Sequence, residues 1–306
     1  MSALVEICGE TAENENISLQ NLRFYGMKDF IRERVCFYTS VFSDRFSEHE
    51  MLEYASSHGA AGLELFNYSE ELKTPDMKAA REIGKRARQL ALKIPCFSAG
   101  LDFASGNYSE KLELAKGYID ICSELEIPLF HHTLIFALSE PSDLDVAKRI
   151  GLETALLLSD YAKGRGVKTV IEDQGFVYNG LENYKYLIDA SNSGIGILLD
   201  VGNTFFVDES PVDFLRGLGR KVDHVHIKDY EVSDFDALGK ARYRSRAGKY
   251  ISSVEIGTGE VDFPKIAEEL LSFGYSGVYS IESSLSGEAE VERVLDRLYR
   301  WFGNNN

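Results

Sequence analysis

The chain repeats one pattern: a short apolar run, a polar break, then a longer stretch whose apolar positions recur at helical spacing. The short runs fall at 34–39, 62–66, 94–99, 128–133, 168–172, 196–200, 222–227 and 277–282, and each predicts a strand. Helices are predicted over 47–58, 74–91, 109–125, from Ser142 or Asp143 to 164, and over 181–190, 212–218, 262–273 and 288–302. Thr74 and Pro75 read as the cap and first turn of the second of these. Regular alternation of this kind gives a parallel sheet covered by helices. The first strand runs into Ser40-Val41-Phe42-Ser43-Asp44, without a glycine-rich phosphate loop, which argues against a doubly wound sheet.

The expected fold is therefore an α/β (β/α)8 TIM barrel, with residues 31–306 as the barrel and residues 1–30 as a short N-terminal extension. The polar, acidic start, to about Asn21, either lies over the barrel or frays. A length of 306 residues suits one large domain. The net charge of −16 argues against a nucleic-acid backbone or an anionic membrane surface as partner. No basic start precedes an apolar run, so no signal peptide is expected, and no uncharged stretch is long enough to span a bilayer. Cys8, Cys36, Cys96 and Cys122 are scattered, with no CxxC, and predict free thiols in a reducing cytoplasm.

Candidate chemistry gathers at the ends of the late strands. In Asp223-His224-Val225-His226-Ile227-Lys228-Asp229, a period of two puts Val225 and Ile227 on one face and His224, His226 and Lys228 on the other. Glu172, Asp200 and Glu282 each close an apolar strand. Together with His226 they offer three carboxylates and one imidazole, a donor set for a single divalent ion: Mn²⁺, Mg²⁺, Co²⁺ or Zn²⁺. Three carboxylates over-neutralise such an ion by one charge, which leaves a carboxylate able to move protons. Glu172 and Glu282, entering from non-adjacent strands, are the expected acid/base pair for proton transfer alpha to a carbonyl, through an enediolate.

Val170-Ile171-Glu172-Asp173, Leu198-Leu199-Asp200-Val201-Gly202-Asn203, His224-Val225-His226-Ile227-Lys228-Asp229, Gly257-Thr258-Gly259-Glu260-Val261-Asp262-Phe263 and Gly277-Val278-Tyr279-Ser280-Ile281-Glu282 resemble the xylose-isomerase-like sugar phosphate isomerase/epimerase superfamily. The resemblance runs from about Val35 to the C-terminus. It implies a TIM barrel with a divalent ion on Glu172, Asp200, His226 and Glu282, and a sugar or sugar phosphate as substrate. Several branches carry a histidine where this chain has Asn203, which can bind a hydroxyl but cannot move a proton. The endonuclease branch is disfavoured by the charge and by the lack of an Asp-x-His pair after the seventh strand. Two rivals stand beside an isomerase or epimerase: a keto-cyclitol dehydratase on the same site, and a non-catalytic sugar-binding barrel.

Further candidates follow from strand parity. His224 lies one layer deeper than His226 and reads as a satisfied interior histidine. Lys228 either stabilises an oxyanion or pairs with Glu282, Asp200 or Asp229. Glu64 is expected to face inward, orienting His131 or His132 or binding a substrate hydroxyl. His131 and His132 occupy opposite faces, and His132 is taken as the luminal one. Arg242, Arg244 and Arg246 sit in a polar loop after the seventh strand, where Arg244 is taken as the contact for an anionic substrate group. Tyr38, Phe42, Phe176, Phe205 and Phe206 are candidates for an apolar sugar wall, and Trp301 reads as core. The composition leaves a homo-oligomer open.

Overall fold

A computed structural model describes residues 25–303, apart from 42–45, 138, 140–142, 193, 237–238, 240, 284 and 286. The polar start up to residue 24, Phe42 and Ser142 lie outside the described residues. Residues 25–34 form a helix, α1, that runs directly into β1 (Val35–Tyr38). Phe30 and Ile31 of α1 are buried, and the Phe30 ring lies 6.2 Å from Tyr279 and 6.0 Å from Tyr299. The helix crosses the boundary expected at residue 30 because these apolar side chains pack against the barrel.

After β1 come α2 (Glu48–Ser57), β2 (Gly62–Phe66), α3 (Met77–Gln89), β3 (Cys96–Ala99), α4 (Tyr108–Leu125) and β4 (Leu129–His132). The chain continues with α5 (Leu144–Lys163), β5 (Lys168–Glu172), α6 (Leu181–Ala190), β6 (Gly196–Asp200), α7 (Pro211–Leu218) and β7 (His224–Ile227). Three short strands follow, β8 (Tyr230–Ser233), β9 (Tyr243–Arg244) and β10 (Tyr250–Ser253), then α8 (Phe263–Ser272), β11 (Tyr279–Ile281) and α9 (Glu288–Leu298). Parallel pairing closes a barrel in the order β1-β11-β7-β6-β5-β4-β3-β2. This is the (β/α)8 architecture.

Parity along the strands sorts the residues. Phe37, Leu63, Phe97, Phe130, Ile171, Leu199, Val225 and Ile227 belong to the large buried cluster that packs strands against helices. Cys96, Val170 and Leu198 form a separate small cluster in the lumen. Above that apolar plug the inward positions turn polar, which is what places chemistry at the C-terminal mouth. The helix starts are fixed by local acceptors. Ser47 and Glu50 form a reciprocal capping box on α2. Asp76, not Thr74, caps α3, because its carboxylate accepts from both Lys78 N and Ala79 N. Asp143 caps α5. Cys36, Cys96 and Cys122 are buried free thiols. Trp301 stacks on Phe263 with centroids 4.5 Å apart. No helix of the described residues is long and apolar enough to cross a membrane.

The segment after β7 differs from the expected polar loop. β8, β10 and β9 make a three-stranded antiparallel sheet. Its buried side, with Tyr230 and Ile251, packs on Phe176, Phe206 and Val207. Strands as short as these gave too little alternation to be seen in the sequence.

Glu48 opens α2 with a side chain that is almost fully buried and lacks a hydrogen bond in good geometry. Burial pushes its carboxyl up to about 8, with Ser69 offsetting only part of the effect. A folded-state pKa above the unfolded one means that stability is full below the ordinary value of 4.5 and is lost as pH rises through about 8. Glu48→Gln should therefore be more stable than the native chain at pH 9, by on the order of 2–4 kcal/mol, and equal to it near pH 4. Thermal unfolding across that range checks this; a gap independent of pH contradicts it.

Candidate metal centre

Four strands deliver four candidate ligands. Glu172 ends β5, Asp200 ends β6, His226 lies in β7 and Glu282 follows β11. The sheet register sets Asp200 beside His226, and His226 beside Ser280. One ligand atom from each of Glu172, Asp200, His226 and Glu282 lies within 4.8 Å of all the others. The first three are buried and Glu282 is half-buried.

The geometry of each ligand is set by what its other atom touches. His226 Nε2 faces Glu64 Oε1 at 3.0 Å. Its Nδ1 is thereby aimed into the cluster, 2.9 Å from Glu282 Oε2 and 3.4 Å from Glu172 Oε1. Asp200 Oδ1 accepts from the N–H groups of Gly202 and Asn203 at 2.8 and 3.1 Å, which leaves Oδ2 for the cluster. Asn203 Nδ2 donates to Glu172 Oε1 at 3.1 Å. Lys228 Nζ lies 2.7 Å from Asp200 Oδ2 and 3.0 Å from Glu282 Oε1. The first of these is a charge contact rather than a directed bond, since Asp200 Oδ2 has no hydrogen-bond partner in good geometry among the described residues. The same holds for His226 Nδ1, Glu282 Oε2 and His131 Nε2, all buried. Unpartnered buried acceptors are costly unless something fills the space between them. A hard or borderline divalent ion suits this donor set of one nitrogen and three oxygens.

Beneath the cluster, Glu64 is fully buried. Ser98 Oγ donates to its Oε1 at 2.5 Å, and His224 Nε2 lies 2.7 Å from its Oε2. Burial works to raise the Glu64 carboxyl, but His226 and His224 outweigh it and hold the group well below the usual carboxylate range. Glu64 is therefore an anion and only accepts. Ser98, spending its proton on Glu64, accepts from His131 Nδ1 at 2.9 Å. His131 Nε2 is then a lone pair facing Glu172 Oε2 at 3.5 Å. Burial pushes the His131 imidazole down to about 4, which keeps it neutral. Burial also works against ionising Glu172, yet His226 and Lys228 bring its carboxyl down to about 2. At Asp200 burial wins over Lys228 and the carboxyl rises to about 8.

Several sequence expectations meet these contacts directly. His224 is the satisfied interior histidine, with Ser280 Oγ also 3.1 Å from its Nε2. Glu64 faces inward as expected, but the histidines it holds are His224 and His226 rather than His131 or His132, and it does not line the cleft where a substrate hydroxyl would sit. Asn203 lines the cleft, but its amide is engaged by Glu172. Lys228 faces the site and pairs with Asp200 and Glu282. Two further expectations are corrected. His131, not His132, lines the lumen: Phe130 packs outward, so parity turns His131 in and leaves His132 stacked against Phe130 at 5.6 Å. Arg244 does not line the cleft either. Its guanidinium lies 3.9 Å over the Tyr250 ring and donates to Gly248 O, while Arg242 lies in the cleft wall.

Asp229 was missed as a functional position. Its two carboxylate oxygens accept from the N–H groups of Tyr230, Gly257, Gly259 and Val261 at 2.8–3.2 Å, pinning the Gly257-Thr258-Gly259 loop against β8. Gly259 must be glycine there, since a Cβ would meet Tyr230 O at 2.4 Å and Asp229 Oδ1 at 2.5 Å. An acid two residues past a strand before a Gly-x-Gly was the available signal. The cleft above the ligands has a volume of about 950 Å³, with Tyr38, Phe66 and Phe206 among the apolar wall and Lys228 and Glu282 at its floor. That is the upper end of small-molecule pockets.

Fold and site together define a parallel barrel with a carboxylate–imidazole cluster at the C-terminal mouth. The family model described as xylose isomerase-like TIM barrel matches residues 52–302, and the chain belongs to that family. Among curated proteins it is 25% identical over 259 residues to the rhizopine catabolism protein MocC of Rhizobium meliloti, covering 74% of this chain and 78% of that one. It is 24% identical over 198 residues to an inosose dehydratase of Clostridium botulinum, covering 61% of each. Among solved structures, the 3-keto-D-glucoside 4-epimerase YcjR of E. coli superposes with a TM-score of 0.66 at 15% identity, over 88% of this chain and 98% of that one.

Glu64→Gln replaces an acceptor-only carboxylate with an amide and unsettles the His226 tautomer. Titration with Mn²⁺ by calorimetry should show affinity weakened by about 10- to 100-fold, the usual scale for losing the outer partner of a ligating histidine. Unchanged affinity contradicts the role given to Glu64.

Proposed function

We propose that the chain is a divalent-metal-dependent enzyme acting on a small polyhydroxy carbonyl compound, a sugar or sugar-phosphate isomerase or epimerase. The observation that carries this reading is the pair Glu172 and Glu282 in one cluster with Asp200 and His226, at the floor of a cleft of sugar size. Glu172, Asp200, His226 and Glu282 would hold one Mn²⁺, Mg²⁺, Co²⁺ or Zn²⁺ ion. When bound, such an ion supplies Lewis-acid polarisation of a substrate carbonyl.

The protein's own groups do the rest. Glu172, kept ionised by its neighbours, takes the proton from the carbon alpha to the carbonyl, and the substrate passes through an enediolate. Glu282, more open to the cleft, returns a proton from its own side. Two bases on different strands permit return to the opposite face, as epimerisation requires. Asn203 keeps Glu172 in place. The Tyr38, Phe66 and Phe206 side chains exclude water from the intermediate. The likeness to the E. coli epimerase supports the class of substrate, and the acidic chain with three buried free thiols supports a cytoplasmic small-molecule enzyme.

A second reading is dehydration of a keto-cyclitol, favoured by similarity to the inosose dehydratase. It shares the proton abstraction and then expels hydroxide from the neighbouring carbon. Incubation of the protein with Mn²⁺ and a panel of ketoses, their phosphates and keto-cyclitols in D₂O separates the two. Deuterium entering alpha to the carbonyl without loss of water supports isomerisation or epimerisation; loss of water supports the dehydratase. Glu172→Gln and Glu282→Gln should each lower turnover by about 10²- to 10⁴-fold, and chelation should abolish it until Mn²⁺ is restored. Exchange that persists unchanged in both variants contradicts the mechanism.

A further inference from the structure

Lys228 follows His226 by two residues on the same strand direction, so its side chain enters the same lumen nearer the mouth. Its ammonium sits 2.7 Å from Asp200 Oδ2, 3.0 Å from Glu282 Oε1 and 3.4 Å from Asn203 Oδ1, and the residue is buried. Two of the carboxylates that define the cation cluster are thus already held by a tethered positive charge. The charges of the cluster also sum in a particular way. With a cation bound, the three ligating carboxylates are deprotonated and carry −3, the lysine adds +1, and an imidazole that ligates through Nδ1 while donating Nε2–H to Glu64 is neutral. The total of −2 is matched by a divalent ion.

We propose that Lys228 is a built-in competitor for the metal centre that sets both its affinity and its preference for ion charge. In the metal-free protein the ammonium holds Asp200 and Glu282 together. An entering cation takes a share of those oxygens from it. With the cation in place, Lys228 trims the cluster to the charge of a divalent ion and penalises a trivalent one more, because repulsion at a fixed distance scales with the charge of the ion. The inference rests on the reading of Glu172, Asp200, His226 and Glu282 as a cation site, and it does not depend on which reaction the protein performs.

The test uses the full chain, stripped with chelator, in native, Lys228→Met and Lys228→Arg forms. Mn²⁺ binding is followed by calorimetry and Tb³⁺ binding by luminescence. Lys228→Met keeps the length of the stem and removes the charge; it should bind Mn²⁺ about tenfold or more tightly than the native chain, and gain more for Tb³⁺ than for Mn²⁺. Lys228→Arg keeps the charge and should not tighten. Metal-free Lys228→Met should also unfold at a lower temperature than the metal-free native chain and recover on adding Mn²⁺. Should that variant not stay folded without metal, it is prepared with Mn²⁺ bound, and slower release into excess chelator is the expected result. Affinity or release unchanged in Lys228→Met, or tightening in Lys228→Arg equal to that in Lys228→Met, overturns the proposal. A native chain that binds no divalent ion overturns the cation site itself, whereas a native chain that binds normally beside an unchanged Lys228→Met overturns only the role of the lysine.

Discussion

The buried carboxylate of Glu64 is the constraint on which the site depends. An isolated carboxylate at that depth would be strongly disfavoured. It is tolerated because Ser98 from β3 and His224 and His226 from β7 converge on it. Those contacts fix more than one side chain. With Nε2 of His226 engaged below, only Nδ1 is left to face the cluster. With the Ser98 proton engaged, His131 turns a lone pair toward Glu172. One anion on β2 therefore sets the hydrogen-bond polarity of β3, β4 and β7 at once.

Above that layer, the cleft is built by elements outside the barrel. Asp229 gathers four backbone N–H groups, so the Gly257-Thr258-Gly259 loop is tied to the start of β8. The β8–β10–β9 sheet is held to the loop after β6 by Asp208, which accepts from Ser245 Oγ at 2.6 Å and Ala247 N at 2.7 Å. Arg246 donates to Phe176 O at 2.6 Å and ties the sheet to the segment after β5. Arg246, one of three arginines that look like substrate contacts in the sequence, thus serves as a fastener beside Asp208. The apolar wall they support, Phe206 with Tyr230 and Tyr243, is what a substrate would meet on that side.

Much of the barrel was legible in the sequence because a half-buried strand and an amphipathic helix leave different periods. The 62–66, 168–172 and 196–200 runs match β2, β5 and β6 residue for residue. The convergence of Glu172, Asp200, His226 and Glu282 was legible for a related reason: an acid or imidazole directly after apolar residues has no cheap place to go except the mouth of the barrel. The choice between His131 and His132 was not, although Phe130 carried the clue, since a bulky apolar neighbour belongs on the helix-facing side. Arg244 was misassigned because β9 is only two residues long, too short to reveal that Tyr243 turns inward and Arg244 outward. Tautomers, and the way Lys228 divides itself between Asp200 and Glu282, follow from contacts between residues far apart in the chain and leave no local trace.

The central claim is that four side chains from β5, β6, β7 and the end of β11 share one cation. Anomalous diffraction at the manganese edge, from crystals grown with Mn²⁺, tests it most directly. The account predicts a single strong peak in the lumen within bonding distance, about 2.0–2.3 Å, of Glu172, Asp200, Glu282 and Nδ1 of His226. A peak elsewhere, or a ligating Nε2 of His226 with Glu64 turned away, would contradict it.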